Sequence, residues 1–297
     1  MTDNPPLALD VQNVFHWFGA NKVLNDIQLQ IPHGHIVAVV GPSGCGKSTL
    51  LRAILGTHPP RQGQIVTGGK RITKPTRDVG IVYQHYSLYD FLTSRENVAF
   101  GLMLDQTSLP QRFLAPWSWW PLRRQHLEQA DAFLEKVGLA AAAARYPHEM
   151  SGGMRQRVAI AQALIMEPKI LLLDEPFGAL DEATREELQI MLLRLYEENR
   201  EAEQRGDQPP FTILIVTHEL NEAIYVSNRV VGLSQYHHGG EQGATIVYDK
   251  PAPVFSPDDP RDFGPFHAQK EELRTAVFDP ENLQHHSDYL QLLKPTA

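Results

Sequence analysis

Three short apolar runs frame this chain: HIVAVV (His35 to Val40), ILLL (Ile170 to Leu173) and FTILIVT (Phe211 to Thr217). None alternates with polar residues, so each reads as a strand buried on both faces rather than as one side of an exposed sheet. Helical spacing lies between them. Gly41 stops the first run, and STLLRAILG then reads as a helix ending at Gly56. Leu188, Met191, Leu192 and Leu195 recur at i, i+3, i+4 and i+7. Strands alternating with helices predict a parallel sheet covered on both faces, an α/β fold. From about Leu88 to Met154 helical patterns dominate, with Leu127, Ala130, Leu134 and Val137 on one face and Gly138 as a stop. That stretch is expected to be a helical subdomain inserted into the sheet domain.

Two segments break the pattern. DQTSLPQRFLAPWSWWPLRR (Asp105 to Arg124) is rich in proline and tryptophan, and EENREAEQRGDQPP (Glu197 to Pro210) reads as a helix end running into a solvated loop. Trp117, Trp119 and Trp120 are expected to plug a core or brace a hairpin. After about Gly232 the strand signal thins, with one further strand expected at ATIVYD (Ala244 to Asp249). Residues 1–235 therefore form the main unit, and 236–297 an extension without the marks of a clear separate domain.

Composition narrows the classes. The net charge of −8 gives no overall basic footprint for nucleic acid. The one cysteine, Cys45, excludes an internal disulfide and fits a reducing compartment. MTDNPPLALD has neither the basic nor the apolar part of a secretory signal. No apolar run approaches the roughly 18 residues that span a bilayer.

The chemistry starts at GPSGCGKST, from Gly41 through Pro42, Ser43, Gly44, Cys45, Gly46, Lys47 and Ser48 to Thr49. It matches G-x-x-x-x-G-K-[ST] between a strand and a helix, the context that makes this motif a phosphate cradle. Glycine amides can converge on phosphate oxygens, Lys47 can reach the β- and γ-phosphates, and the Ser48 hydroxyl can sit on Mg²⁺. Asp174 ends an apolar strand, where it can hold the metal, and Glu175 is placed to orient or deprotonate an attacking water. Cys45, at a helix N-terminus, is expected to carry a somewhat reactive thiol. Ser151, Gly152 and Gly153 open a helix about 20 residues before Asp174, and their hydroxyl and amides make a second anion site.

This order of motifs resembles the nucleotide-binding subunit of ATP-binding cassette (ABC) transporters, across roughly residues 7 to 235. The fold implied is a P-loop NTPase, RecA-like core with a parallel sheet, an antiparallel β subdomain and an inserted helical subdomain, about 88–154, that carries the signature. The resemblance makes Gln84 the Q-loop glutamine sensing metal and water, Ser151 to Met154 the signature, Leu180 and Asp181 the D-loop, and His218 the switch histidine facing the γ-phosphate. Phe18 falls where the family stacks an aromatic ring on adenine, with Trp17 as its neighbour. Met150 and Met154 stand where leucine and glutamine are commonest in the family.

The activity implied is hydrolysis of ATP with Mg²⁺, catalysed by Glu175, His218, Gln84 and Lys47, with Ser48, Gln84 and Asp174 toward the metal. The nucleotide would lie between Lys47 of one subunit and Ser151 of a second, identical or not. A separate membrane-spanning permease is expected as partner, docked by Tyr86, Tyr89 and Phe91, and indirectly a periplasmic or extracellular solute-binding protein. That places the chain peripherally on the cytoplasmic face of the plasma membrane. GKRITKPTRDVGIVYQ and FLTSRENVAFGL resemble the importers of nitrate, sulfonates and taurine. An export or lipid-trafficking cassette is the alternative, and a soluble cassette acting on nucleic acid or ribosomes the other.

Overall fold

The structure, a computed structural model, describes residues 7–84, 87–108, 116–236, 242–258 and 266–278. Ten strands form one sheet in the order β5-β4-β1-β2-β10-β9-β3-β8-β7-β6. Its parallel part holds β6 (Val79–Val82), β7 (Ile170–Asp174), β8 (Ile213–Thr217), β3 (Ile36–Val40) and β9 (Arg229–Tyr236). The three apolar runs are thus adjacent strands. Their side chains alternate between layers: Leu171, Leu173, Ile213 and Ile215 enter one core, and Ile170, Leu172, Leu214 and Val216 the other. A strand with both faces covered has no place for a polar residue, which is why these runs do not alternate.

The antiparallel part is built on a long hairpin, β1 (Leu7–Phe18) and β2 (Asn21–Pro32), flanked by β4 (Gln62–Thr67) and β5 (Lys70–Arg71). Gly19 takes the left-handed backbone of the tight turn, φ +59°. Strand β10 (Gln242–Pro251) runs parallel to β2 and antiparallel to β9, joining the two halves.

Four helices supply most of the helical side of the first core: α2 (Ser94–Gln106), α3 (Pro116–Lys136), α4 (Gly152–Leu164) and α5 (Glu182–Arg205). Helix α2 starts with a capping box, Thr93 with Glu96, and Arg123 of α3 pairs with Glu96 at 3.1 Å. Helix α1 (Lys47–Leu55) sits in the second core. Helix α6 (Leu220–Val226) and the C-terminal α7 (His267–Phe278) make a third with Ala38 and Val40. Gly232 on β9 is required there, since a Cβ would stand 2.4 Å from Val277 Cγ2.

The tryptophans depart from the expectation. They start a helix, not a hairpin, and Trp117 and Trp120 are 75% and 63% exposed. Only Trp119 packs against the core. At i, i+2 and i+3 on one helix, three large side chains cannot share an inward face. Alanine at Trp119 is expected to cost about 1–3 kcal/mol of stability, and at Trp117 or Trp120 under about 0.5 kcal/mol, in denaturant unfolding. Equal losses at all three positions would contradict this packing. Tyr86 and residues 109–115 of the insertion lie outside the described residues.

Candidate functional site

Parallel register gathers the candidate residues on one edge. Val40 pairs with Thr217, and Asp174 with Val216, so the loops leaving β3, β7 and β8 emerge side by side, with that after β6 next to β7. The C-terminal edge of a parallel sheet is where such folds bind ligands.

The Gly41–Thr49 loop leaves β3 through a space that admits no side chain: a Cβ on Gly41 would lie 2.6 Å from Cys45 Sγ and 2.7 Å from the Leu233 carbonyl. Gly44 and Gly46 adopt φ of +79° and +103°, turning the backbone into the cradle. Ser43, Gly44 and Ser48 are exposed on its crest. Thr93, Ser151 and Asp181 cap α2, α4 and α5 with their side chains, whereas the N-cap of α1 is Gly46, which has none. The first amides of α1 are therefore open to an anion. Lys47 is buried, its Nζ donating to the carbonyls of Gly41 at 2.7 Å and Pro42 at 3.1 Å, and α1 runs on from it. Cys45 corrects the expectation of reactivity. It is buried, and that burial pushes its thiol up despite the nearby Lys47 ammonium.

At the end of β7, burial and then the neighbouring Glu175 carboxylate hold Asp174 above the usual carboxylate range, while Arg52 and Lys47 pull it down. A bound cation would add to that downward pull. Ser48 and Asp174 are hard oxygen donors. Among the described residues no group of three or more His, Cys, Asp and Glu could hold a metal unaided. This donor set fits Mg²⁺, which takes one or two protein oxygens and completes its shell with water and phosphate.

Glu175 has φ +49°, a left-handed backbone unusual for its type, and its N–H donates to the Val216 carbonyl at 2.9 Å. That twist turns its carboxylate back to β8, where Oε2 meets His218 Nδ1 at 2.6 Å. Gln84 joins them: around the point a Cβ of Gly178 would occupy, Gln84 Nε2 lies at 3.5 Å and Glu175 Oε2 at 3.8 Å. Beside them opens a cleft of about 330 Å³, reaching Arg185, Thr217, Glu222 and Tyr225.

Ser151 stands elsewhere, at the N-terminus of α4, where its hydroxyl accepts from Met154 N at 3.3 Å. Gly153 presses on α5, since a Cβ there would stand 1.6 Å from Thr184 Cγ2. Asp181 caps α5 through Thr184 N at 3.1 Å and Thr184 Oγ1 at 2.7 Å, bonds that hold its carboxyl below the usual range. Leu180 is buried just before it. Phe18 is half-exposed at the tip of the β1–β2 hairpin, its ring 4.8 Å from that of His16. Tyr89 and Phe91 are exposed, 5.7 Å apart.

Arg185, Thr217 and Glu222 escaped the sequence reading. Their only linear signal is a glutamate one helical turn after His218, the spacing of an ordinary amphipathic helix.

A model of the ABC transporter family matches residues 24–178, just over half of the chain and enough to span the phosphate loop, the Ser-Gly-Gly turn and the acidic strand end. The chain belongs to the ABC transporter family. Among other members, it is 43% identical over 232 residues to the sulfate/thiosulfate import ATP-binding protein CysA of Yersinia pseudotuberculosis, covering 77% of this chain and 58% of that one. To CysA of Escherichia coli K12 it is 42% identical over 252 residues, 84% of this chain and 64% of that protein. To CysA of Pseudomonas syringae pv. tomato it is 41% identical over 254 residues, 84% and 71%. The chain thus spans well under the full length of these proteins.

Solved ABC structures agree with the fold. An ATP-binding cassette seen as a dimer in a post-hydrolysis state with ADP and Pi matches with a TM-score of 0.62 and 26% identity, over 83% of this chain and all of that one. A nucleotide-free ATP-binding cassette of an ABC transporter matches with a TM-score of 0.67 over 94% of this chain and 98% of its own, at 22% identity. The resemblance in family and fold class read from the motifs therefore holds. Among the described residues no helix is long and apolar enough to cross a membrane.

Proposed function

We propose that this chain is the ATP-hydrolysing subunit of an ABC importer, working with Mg²⁺ at a site shared between two subunits. The observation that carries the reading is the pairing of Glu175 with His218 at 2.6 Å, with Gln84 beside them, on the sheet edge that also carries the uncapped start of α1. The cradle from Gly41 to Thr49 holds the phosphates, and Lys47 leaves its carbonyl partners for the β- and γ-oxygens. Ser48, Asp174 and Gln84 hold Mg²⁺, which supplies charge neutralisation at the phosphates. Glu175 takes the proton of the attacking water, and His218 keeps that carboxylate and the γ-phosphate in register. Phe18 stacks on the base.

Ser151 and the amides of Gly152 and Gly153 face the γ-phosphate bound by a second subunit, and Asp181 lies at that same junction. Ser151 is exposed at the start of α4, with the amides of Gly152 and Gly153 following it, and a partner's terminal phosphate is the anion such a helix start fits. On this reading residues 1–235 are the cassette, with the helical part about 88–154 inserted in it. Residues 236–297 extend it, with β10 and α7 completing its own sheet and core.

The partner is a permease in the membrane, met near Tyr89 and Phe91 from the cytoplasmic face. The cargo is a small anionic solute delivered by a binding protein. That class rests on the names of the sulfate/thiosulfate relatives and on the segments resembling nitrate and sulfonate importers.

A mixing experiment tests the shared site. Ser151→Arg and Lys47→Ala should each lose most Mg²⁺-dependent ATP turnover, by roughly 10²-fold or more. Mixed in equal amounts they should regain about a quarter of wild-type activity, because half the pairs then contain one intact site of two. Two inactive variants that stay inactive when mixed, with pairing shown by light scattering, would place each nucleotide within one chain.

A further inference from the structure

Behind Glu175 and His218, the cleft ends in an ion pair that the proposed chemistry leaves unused, buried at Glu222 and part-exposed at Arg185. Glu222, on α6, is only 8% exposed, and both of its oxygens are engaged. Oε1 lies 3.3 Å from Arg185 Nε, and Oε2 accepts from the Thr217 hydroxyl at 3.3 Å. Arg185 in turn reaches back along α5. Its Nη2 donates to the Leu180 carbonyl at 3.2 Å and its Nη1 to Glu182 Oε2 at 3.2 Å. The Thr217 hydroxyl also accepts the Glu219 N–H at 3.1 Å, closing the turn that holds His218. One chain of contacts therefore runs from the Leu180 turn through Arg185, Glu222 and Thr217 to His218 and the Glu175 carboxylate.

We infer that Arg185 and Glu222 are positioning residues for ATP hydrolysis, an ion pair that locks the Leu180–Asp181 turn to the His218 turn and so fixes His218 against Glu175. The inference rests on the ATPase reading above and adds to it two residues with no role there. A carboxylate this enclosed is costly unless its partners are in place, so the pair has two settings: closed with Glu222 ionised, or relaxed with Glu222 neutral. The Arg185 Nε–H approaches too obliquely for a hydrogen bond, and a small turn of α5 against α6 would tighten it.

The surroundings bias that choice. Arg185 and Glu182 face Glu222 from α5, Glu175 from the end of β7, Thr217, His218 and Glu219 from the β8–α6 turn, and Tyr225 from its own helix. Burial pushes Glu222 up to about 7, with Arg185, Thr217 and His218 lowering it and Glu219 raising it. The folded chain therefore binds this proton more readily than the unfolded chain does. Its contribution to stability is present in full below the ordinary glutamate value and is lost as the pH rises through about 7. The closed pair needed for catalysis forms over the same rise. Stability and activity then respond in opposite senses, which a purely structural ion pair would not do.

Glu222→Gln keeps the shape and an acceptor for Thr217 and removes the charge. The ATPase rate of the wild-type chain should fall on the acid side with a midpoint near 7. In Glu222→Gln that limb should be absent, the rate at pH 8 roughly fivefold lower, and KM for ATP within about twofold. Its Tm at pH 8 should equal or exceed that of wild type. An acid limb that persists in Glu222→Gln would belong to another group and overturn the inference. So would a rate loss matched by a fall in Tm and in nucleotide binding. A readout without turnover separates the two claims: NMR of the histidine-labelled protein, with the His218 signal assigned by His218→Gln. That signal should respond to pH differently in wild type and Glu222→Gln. If it does in a chain that hydrolyses no ATP, the coupling stands and the ATPase reading fails. If the signal titrates identically in both proteins, the coupling fails.

Discussion

Replacing Glu175 by glutamine is expected to reduce ATP turnover by roughly 10²–10⁴-fold while leaving ATP affinity nearly unchanged. The amide is the size of the carboxylate, and its oxygen can still accept from His218 Nδ1, now 2.6 Å away. It cannot take a proton from water. If the site is shared as proposed, ATP should then hold the subunits together until it is hydrolysed, and light scattering should find a stable pair with ATP and Mg²⁺. Glu175 also holds a left-handed backbone, φ +49°, at a conformational cost of about 1–3 kcal/mol, and glutamine can occupy it at a similar cost. Turnover within tenfold of wild type, or a protein that stays monomeric with ATP, would remove Glu175 from the proposed role.

The second large effect is expected at Gly153. Alanine there would put a Cβ 1.6 Å from Thr184 Cγ2 and 3.1 Å from Thr184 Cβ. Thr184 cannot swing away freely, because its hydroxyl is bonded to Asp181 Oδ2 at 2.7 Å and its N–H to Asp181 Oδ1 at 3.1 Å. Relief must come from the backbone of the Ser151 turn, the Asp181 cap, or both. Overpacking of this kind costs about 1–3 kcal/mol. At roughly 2–4 °C per kcal/mol in a chain of this size, calorimetry should resolve it. Activity should fall further than stability, since both ends of the strained contact are proposed to meet the second subunit. Thr184→Ser deletes Cγ2 and keeps the cap, so Gly153→Ala with Thr184→Ser should recover most of the lost Tm. If the double variant is no better than Gly153→Ala, the clash is not the cause.

These two positions show where the chain was legible. The phosphate loop could be read from Gly41 to Thr49 because phosphate binding demands backbone conformations that only glycine supplies at fixed intervals, and the loop must join a strand to a helix. The runs before Asp174 and His218 could be read because a strand covered on both faces admits nothing polar. Local rules of this kind leave marks in sequence. Pairing between distant segments does not. Nothing in Leu24 or Ala244 announces that β2 and β10 are neighbours, and nothing near Arg185 announces Glu222. The tryptophans misled because an apolar cluster says how much surface needs cover, not which residue the helix turns inward: Trp119 packs, and Trp117 and Trp120 do not. Cys45 misled similarly, as its place at a helix start suggested an activated thiol and its burial decides otherwise.

The place of β10 carries a consequence for synthesis. As the chain leaves the ribosome, the β1–β2 hairpin emerges early, and the edge of β2 has no neighbour until β10 arrives roughly 200 residues later, a delay of about 10–40 s at ordinary elongation rates. Through that interval an open strand edge is on offer to any other nascent chain. Strand β10, the last made among the described residues, is therefore also a seal, and nascent chains stalled before Gln242 should associate with chaperones or with one another more than those released after Pro251.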